Sequence, residues 1–202
     1  MGQIIVERDL DGIQGLCLIT PAVHGDARGY FMETYSARDM AEAGLDIAFV
    51  QDNQSMSGKG VLRGLHFQKH YPQTKLVRVI RGEVYDVAVD LRANSDTYGH
   101  WHGELLTEEN RRQFLIPRGF AHGFLVLSET AEFCYKCDDF YHANDEGGMA
   151  WNDPELAISW PGVEGDYTGS ACAKGYHLRD GTPLNLSEKD QRWLGFRDTF
   201  KF

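Results

Sequence analysis

The sequence predicts an all-β chain folded as a closed or two-sheet barrel, and three observations carry that prediction. Glycine makes up 22 of 202 residues, above the usual ~7%, and the glycines punctuate short apolar runs. The stretch KLVRVI-RG-EVYDVAVDLR reads as a hairpin of two alternating strands. Helical periodicity is scarce.

Taken in order, the first strand falls at 15–20, where GLCLIT follows a turn, and the second at 30–35, the aromatic-rich YFMETY. AFVQDNQS at 48–55 and VLRGLHFQ at 61–68 come next, then the hairpin arms 75–81 and 83–92. In the second arm Tyr85, Val87, Val89 and Leu91 line one face, while Asp86 and Asp90 lie on the other. Further apolar runs place strands at 99–106, 113–117, 123–127 and 131–138. Ser36-Ala-Arg-Asp39 opens a short helix that runs to Gly44, and Ser187-Glu-Lys-Asp190 opens another. Residues 162–185 show no period, and an irregular surface excursion is expected there. No repeat, linker or charge block divides the chain, so 1–202 reads as a single domain whose barrel mouth is the natural ligand site.

Twenty Lys and Arg against thirty Asp and Glu leave a net charge of −10. No basic stripe of the kind that grips a nucleic-acid duplex is present. No apolar run approaches the ~20 residues that span a bilayer, and acidic residues come too early for a secretory leader. A cytoplasmic protein is expected, with Cys17, Cys134, Cys137 and Cys172 as reduced thiols. Cys134-Tyr-Lys-Cys137 matches C-x-x-C, but it lies in a strand. A period of two puts those thiols on opposite faces, which favours two small buried residues over a redox pair or half a zinc site.

Polar residues interrupt several strands where a simple core has no use for them. Gln51, Asp52 and Asn53 end one strand, Arg63 and His66 sit inside another, and Lys75 and Asp86 lie in the hairpin. His122 follows IPRGFA, Tyr135 is mid-strand, and Tyr141 and Glu146 come just after. Each has a structural explanation. Arg63 and Asp86 could form an ion pair, His122 could be a satisfied core histidine, Tyr135 could be core, and Asp190 could serve the helix cap alone. Together they point to a lined pocket, because unpaired charges on barrel strands are costly. Arg63 and His66 are three apart and fall on opposite faces of a regular strand. A bulge at Gly64 would let them share one pocket. His66 and His122 invite a metal-binding cupin, and Pro117-Arg-Gly119-Phe-Ala-His122 does resemble the second cupin motif. The first motif, His66-Phe67-Gln68, lacks its second histidine, and His100-Trp-His102 has no carboxylate suitably placed beside it, so no metal is expected.

These residues carry a wider resemblance. HGDARGYFMETY at 24–35, FVQDNQSMS at 49–57, GVLRGLHFQ at 60–68 and the whole of 73–110 and 116–141 match, in order, the dTDP-4-dehydrorhamnose 3,5-epimerases. WNDPELAISWP at 151–161 and LSEKDQ at 186–191 complete the match. The resemblance implies a cupin-type double-stranded β-helix, or jelly-roll, barrel with a few short helices, metal-free and usually homodimeric. It implies an isomerase that inverts C3 and C5 of a dTDP-linked 4-keto-6-deoxyhexose, in dTDP-rhamnose biosynthesis. By motif, His66 resembles the general base, Asp190 its orienting partner, Tyr135 the general acid, and Lys75 the cation beside the keto oxygen. Arg28, Glu33, Gln51, Asp52, Asn53, Arg63, Asp86, His122, Glu146 and Lys189 match the substrate-binding set. Tyr141 matches the aromatic that stacks on thymine, and Asp86 is expected as a buried acid near the histidine. Both carbons flank the ketone, so the chemistry needs a base, an acid and a positive group, and no cofactor. The chain departs from the family pattern at 164–185, which is longer, and in its tail RWLGFRDTFKF, where Pro-Leu is more usual. A mono-epimerase, an inactive sugar-nucleotide-binding barrel and a metal cupin are the other readings.

Overall fold

A computed structural model describes residues 3–165 and 171–202. In chain order its elements are β1 Ile4–Arg8, β2 Cys17–Pro21, β3 Val23–Asp26, β4 Gly29–Met32, α1 Ala37–Glu42, β5 Gln51–Gly58, β6 Leu62–Gln68 and β7 Lys75–Arg81. They continue as β8 Glu83–Asp90, β9 Trp101–Thr107, β10 Gln113–Ile116, β11 Phe120–Val126, β12 Thr130–Cys137, β13 Glu146–Gly148, β14 Val163–Glu164 and β15 His177–Leu178. Two antiparallel sheets form the barrel, one in the order β1-β2-β10-β7-β12-β5 and the other in the order β13-β6-β11-β8-β9. This is the cupin-type β fold.

Alternation explains the layers. On β8, Val84 and Ala88 join Val77, Val79, Phe124 and Phe133 in the core between the sheets. Val87, Val89 and Leu91 point the other way, into a second core with Trp151, Trp160, Tyr176 and Leu178. The five-stranded sheet is thus buried on both faces, which is why β8 is apolar at nearly every position. A third cluster packs Met40 of α1 and Leu45 on Cys17, Ile19, Leu76 and Leu115 of the six-stranded sheet.

Ser36 caps α1 as expected, its hydroxyl accepting the Asp39 N–H at 3.3 Å. The second expected helix is only a 3-10 turn, Asp190–Arg192, with the Ser187 hydroxyl accepting the Asp190 N–H at 3.1 Å. The strand expected at 48–55 lies at 51–58 instead, because one face of QDNQSMSG meets solvent and the other a cavity, so no apolar signal marks it. The segment 162–185 is not the surface excursion expected of it. Tyr176, Leu178 and Leu184 are buried in the second core, β14 pairs with β15, and Asn185 bridges Val61. A few anchoring side chains hold it, and they have no regular period to betray them. Residues 166–170 of that segment lie outside the described residues. No helix among the described residues is long and apolar enough to cross a membrane.

Candidate active site

Between the sheets lies a cavity of about 880 Å³, ample for a nucleotide sugar. A lobe of about 290 Å³ adjoins it, sharing Asn53, His66, Lys75 and Tyr135 and reaching Tyr141 and Glu146.

The bulge anticipated in β6 is present. His66 pairs with His122 and Arg63 with Phe124, so three steps along β6 match two along β11. Gly64 sits there at φ +125°, where a Cβ would lie 2.6 Å from the Gly123 Cα, so only glycine fits. The extra residue turns Arg63 and His66 to the same cavity. Arg63 does not pair with Asp86. Its guanidinium donates to the Ser57 hydroxyl at 3.1 and 2.9 Å.

His66 donates from Nε2 to Asp190 Oδ1 at 2.5 Å, which leaves Nδ1 as the ring's basic atom. Burial pushes the Asp190 carboxyl up, but hydrogen bonds from His66, the Ser187 hydroxyl and the Gly64 backbone outweigh it and hold the group below the usual carboxylate range. Across the cavity, on the other sheet, Phe133, Tyr135 and Cys137 point inward from β12. Burial raises the Tyr135 phenol, which keeps it protonated and able to give a proton. Lys75 on β7 lies 6.0 Å from the centre of the Tyr135 ring. Its ammonium has no ion pair or hydrogen bond among the described residues, and burial lowers its pKa. A base, an acid and a free cation therefore line one space from two facing sheets.

Supporting pairs surround them. Lys189 bonds Glu146 at 2.7 Å, and the Tyr141 hydroxyl donates to the same carboxylate at 3.4 Å. Gln51 donates to Asn53 at 3.0 Å and accepts the Tyr141 N–H at 3.1 Å, tying the lobe together. The thiol of Cys137 faces inward and burial pushes it to about 11, whereas Cys134 points out, as the strand period requires. Cys17, Cys134 and Cys137 are free thiols.

Asp86, Arg28 and Glu33 lie outside the cavity, and Asp52 borders it from the exposed side of its strand. Asp86 is fully buried and does not line the cavity. It acts on His122, whose Nε2 lies 2.9 and 3.0 Å from its two oxygens. Asp52 belongs to the exposed face of β5, where its carboxylate pairs with Lys136 at 2.6 Å. Arg28 lies on the exposed β3–β4 ribbon, its guanidinium bonded to Asp26. Glu33, just after that ribbon, sits beside Tyr35 and Asp39 on the outside of the six-stranded sheet, not in the cavity. Strand period accounts for Asp52 on that exposed face; nothing in a motif shows where a ribbon projects.

Sequence reasoning missed Trp193. Its indole lies edge-on to His66, with ring centres 6.4 Å apart, and its Nε1–H donates to Asp190 Oδ1 at 3.3 Å. The spacing Asp190–Trp193 is one 3-10 turn and was the available signal.

A family model described as dTDP-4-dehydrorhamnose 3,5-epimerase matches residues 11–198. The chain belongs to the dTDP-4-dehydrorhamnose 3,5-epimerase family. Within this family it is 51% identical over 186 residues to the dTDP-4-dehydrorhamnose 3,5-epimerase of Methanothermobacter thermautotrophicus, covering 92% of each chain. The crystal structure of a Legionella pneumophila 3,5-epimerase in complex with dTDP-4-keto-L-rhamnose superposes with a TM-score of 0.85 at 42% identity, covering 99% of each chain. A dTDP-4-dehydrorhamnose 3-epimerase of Streptomyces niveus is 43% identical over 182 residues, 89% of this chain and 79% of the relative.

Proposed function

We propose that this protein is a dTDP-4-dehydrorhamnose 3,5-epimerase, converting dTDP-4-dehydro-6-deoxy-D-glucose to dTDP-4-dehydro-L-rhamnose. The observation that carries the reading is one cavity lined by His66 of one sheet, bonded to Asp190 of the 3-10 turn, and by Tyr135 and Lys75 of the other sheet. His66 removes the proton α to the ketone through Nδ1, and Asp190 stabilises the imidazolium. Lys75 meets the negative charge that builds on the keto oxygen, worth ~3 kcal/mol if it acts as a single oxyanion donor does. Tyr135 returns a proton from the opposite side, and the carbon is inverted. The same groups serve C3 and C5, since each flanks the carbonyl. Arg63 and Lys189 supply positive charge for the diphosphate, and Tyr141 an exposed ring for the base. No step changes oxidation state, so the reaction calls for no redox cofactor.

Arg28 and Glu33 belong to the substrate set only if the ribbon reaches a second copy's cavity, and a homodimer is proposed on that ground. Its test is complementation, in which mixed dimers of Arg28→Ala and His66→Ala chains regain one intact site. The free thiols of Cys17, Cys134 and Cys137 support a cytoplasmic setting.

The decisive experiment incubates the protein with dTDP-4-dehydro-6-deoxy-D-glucose in D2O and follows C3 and C5 by NMR. Deuterium at both carbons, lost in His66→Ala, is the expected result. Label at C3 alone would assign a 3-epimerase, as the Streptomyces relative is named, and no label would overturn the reading for this substrate.

A further inference from the structure

Trp193 lies in the tail that departs from the family pattern, and it meets the catalytic pair directly. In a 3-10 helix residues three apart eclipse one another, so Asp190 and Trp193 present carboxylate and indole to the same side. That side is His66. The indole N–H bonds the same Asp190 oxygen that receives the His66 N–H, at 3.3 and 2.5 Å. Opposite His66 in the β6–β13 register stands Gly148, and its missing side chain is the indole's seat, because a Cβ there would lie 2.4 Å from the Trp193 ring. The turn itself is pinned by Gln191, which accepts the Ala173 N–H at 3.3 Å and donates to the Leu186 carbonyl at 3.2 Å. Gly148, Trp193 and Asp190 thus form a stack behind the imidazole.

We propose that Trp193 is a positioning residue for the His66–Asp190 base, holding the carboxylate oxygen in line with Nε2 and tempering its pull on the imidazolium. The proposal rests on the epimerase reading and deepens it. A carboxylate oxygen shared between two donors gives less to each, so the indole N–H competes with the His66 N–H for Asp190 Oδ1. The other titratable groups facing His66 are Lys189 of the turn, His122 of β11, Lys75 of β7, Tyr135 of β12 and Glu146 of β13. The Trp193 and His66 donors meet on the same Asp190 oxygen, Oδ1.

The test compares the full chain with Trp193→Phe, which keeps a ring in the seat and removes the N–H, and with Trp193→Leu, which also removes the aromatic edge. The readouts are kcat, KM and an NMR titration of the His66 imidazole without substrate. In Trp193→Phe the His66 NMR titration curve is expected to depart from wild type, since one of the two donors on Asp190 Oδ1 is gone. The expected kcat loss is about 10-fold with KM unchanged, as misalignment of a base predicts. Trp193→Leu should lose more in kcat. A Trp193→Phe titration and kcat equal to wild type overturn the proposal, as does a loss confined to KM or to thermal stability. The titration needs no turnover, so it decides the point even if the wild-type protein failed to act on the proposed substrate, an outcome that would refute the epimerase reading alone.

Discussion

Replacing His122 by leucine asks what the barrel does with a carboxylate at its centre. Asp86 has no exposed surface, and its only hydrogen-bond partner among the described residues is His122 Nε2. Burial raises the Asp86 carboxyl and lowers the His122 imidazole, so each is pushed toward its neutral form. Leucine roughly fills the imidazole's volume and still packs on Phe133, so the loss is electrostatic. Breaking one side of a buried pair costs about 3–5 kcal/mol. Nearby Lys75 attracts Asp86, and the carboxyl can protonate, so the lower end, about 3 kcal/mol, is expected. His122→Leu with Asp86→Leu removes both polar groups and should return to within about 1 kcal/mol of native stability. The assay is urea unfolding of the four proteins of the cycle at pH 7 and one protein concentration, with a coupling energy of about 2 kcal/mol expected. A single variant that loses under ~1 kcal/mol, or a double variant no better than the sum of the singles, would refute the argument. The pH sense is also set. His122 titrates lower in the folded state, so its contribution is complete above the unfolded value of about 6.5 and is lost as pH falls below it. The leucine variant should lack that part of the slope.

Gly148→Ala drives a methyl to 2.4 Å from the Trp193 indole, and about 1–3 kcal/mol of overpacking is expected along with a drop in kcat. Circular dichroism and turnover, read together, check it. Lys75→Met removes a desolvated ammonium that has no ion pair or hydrogen bond among the described residues, so the thermal midpoint should rise while turnover falls about 100-fold or more. A fall in both would mean Lys75 is held by an interaction that the geometry lacks. Asp190 titrates lower in the folded state, so its stabilisation is full above the unfolded value near ~3.9 and is lost as pH falls through it. Acid-unfolding curves of Asp190→Asn should therefore be flatter than wild type below about pH 4.

His66, Lys75 and Tyr135 were legible because each is a costly polar residue in a barrel strand, at a place where only a pocket excuses it. The bulge at Gly64 was legible for a related reason, since without it Arg63 and His66 could not face one way. Asp190 was found by its motif, although the helix that was expected to carry it is a single 3-10 turn. Trp193 had one signal, its three-residue spacing from Asp190, but its seat is the hole opposite His66 that Gly148 leaves, and two residues so far apart in sequence carry no mark of facing each other. Asp52 borders the cavity from the exposed face of its strand, as its alternation with Asn53 requires. Arg28 and Glu33 lie outside the cavity, since a motif names residues without saying where a ribbon projects. The packing of 162–185 rests on Tyr176 and Leu178, anchors with no period around them.

His66 and Asp190 stand 124 positions apart, and that separation orders the birth of the enzyme. Both main sheets have all their strands by Gly148, so a chain still emerging from the ribosome can close its barrel with an imidazole that has no carboxylate behind it. On the proposed mechanism the base would be complete only once the turn at Asp190–Arg192 has been added. The same holds in reverse for damage. A cut at exposed Leu194 would part the turn from Phe196, which is buried in the second core, and so would loosen the carboxylate behind His66 together with the packing on the outer face of the five-stranded sheet.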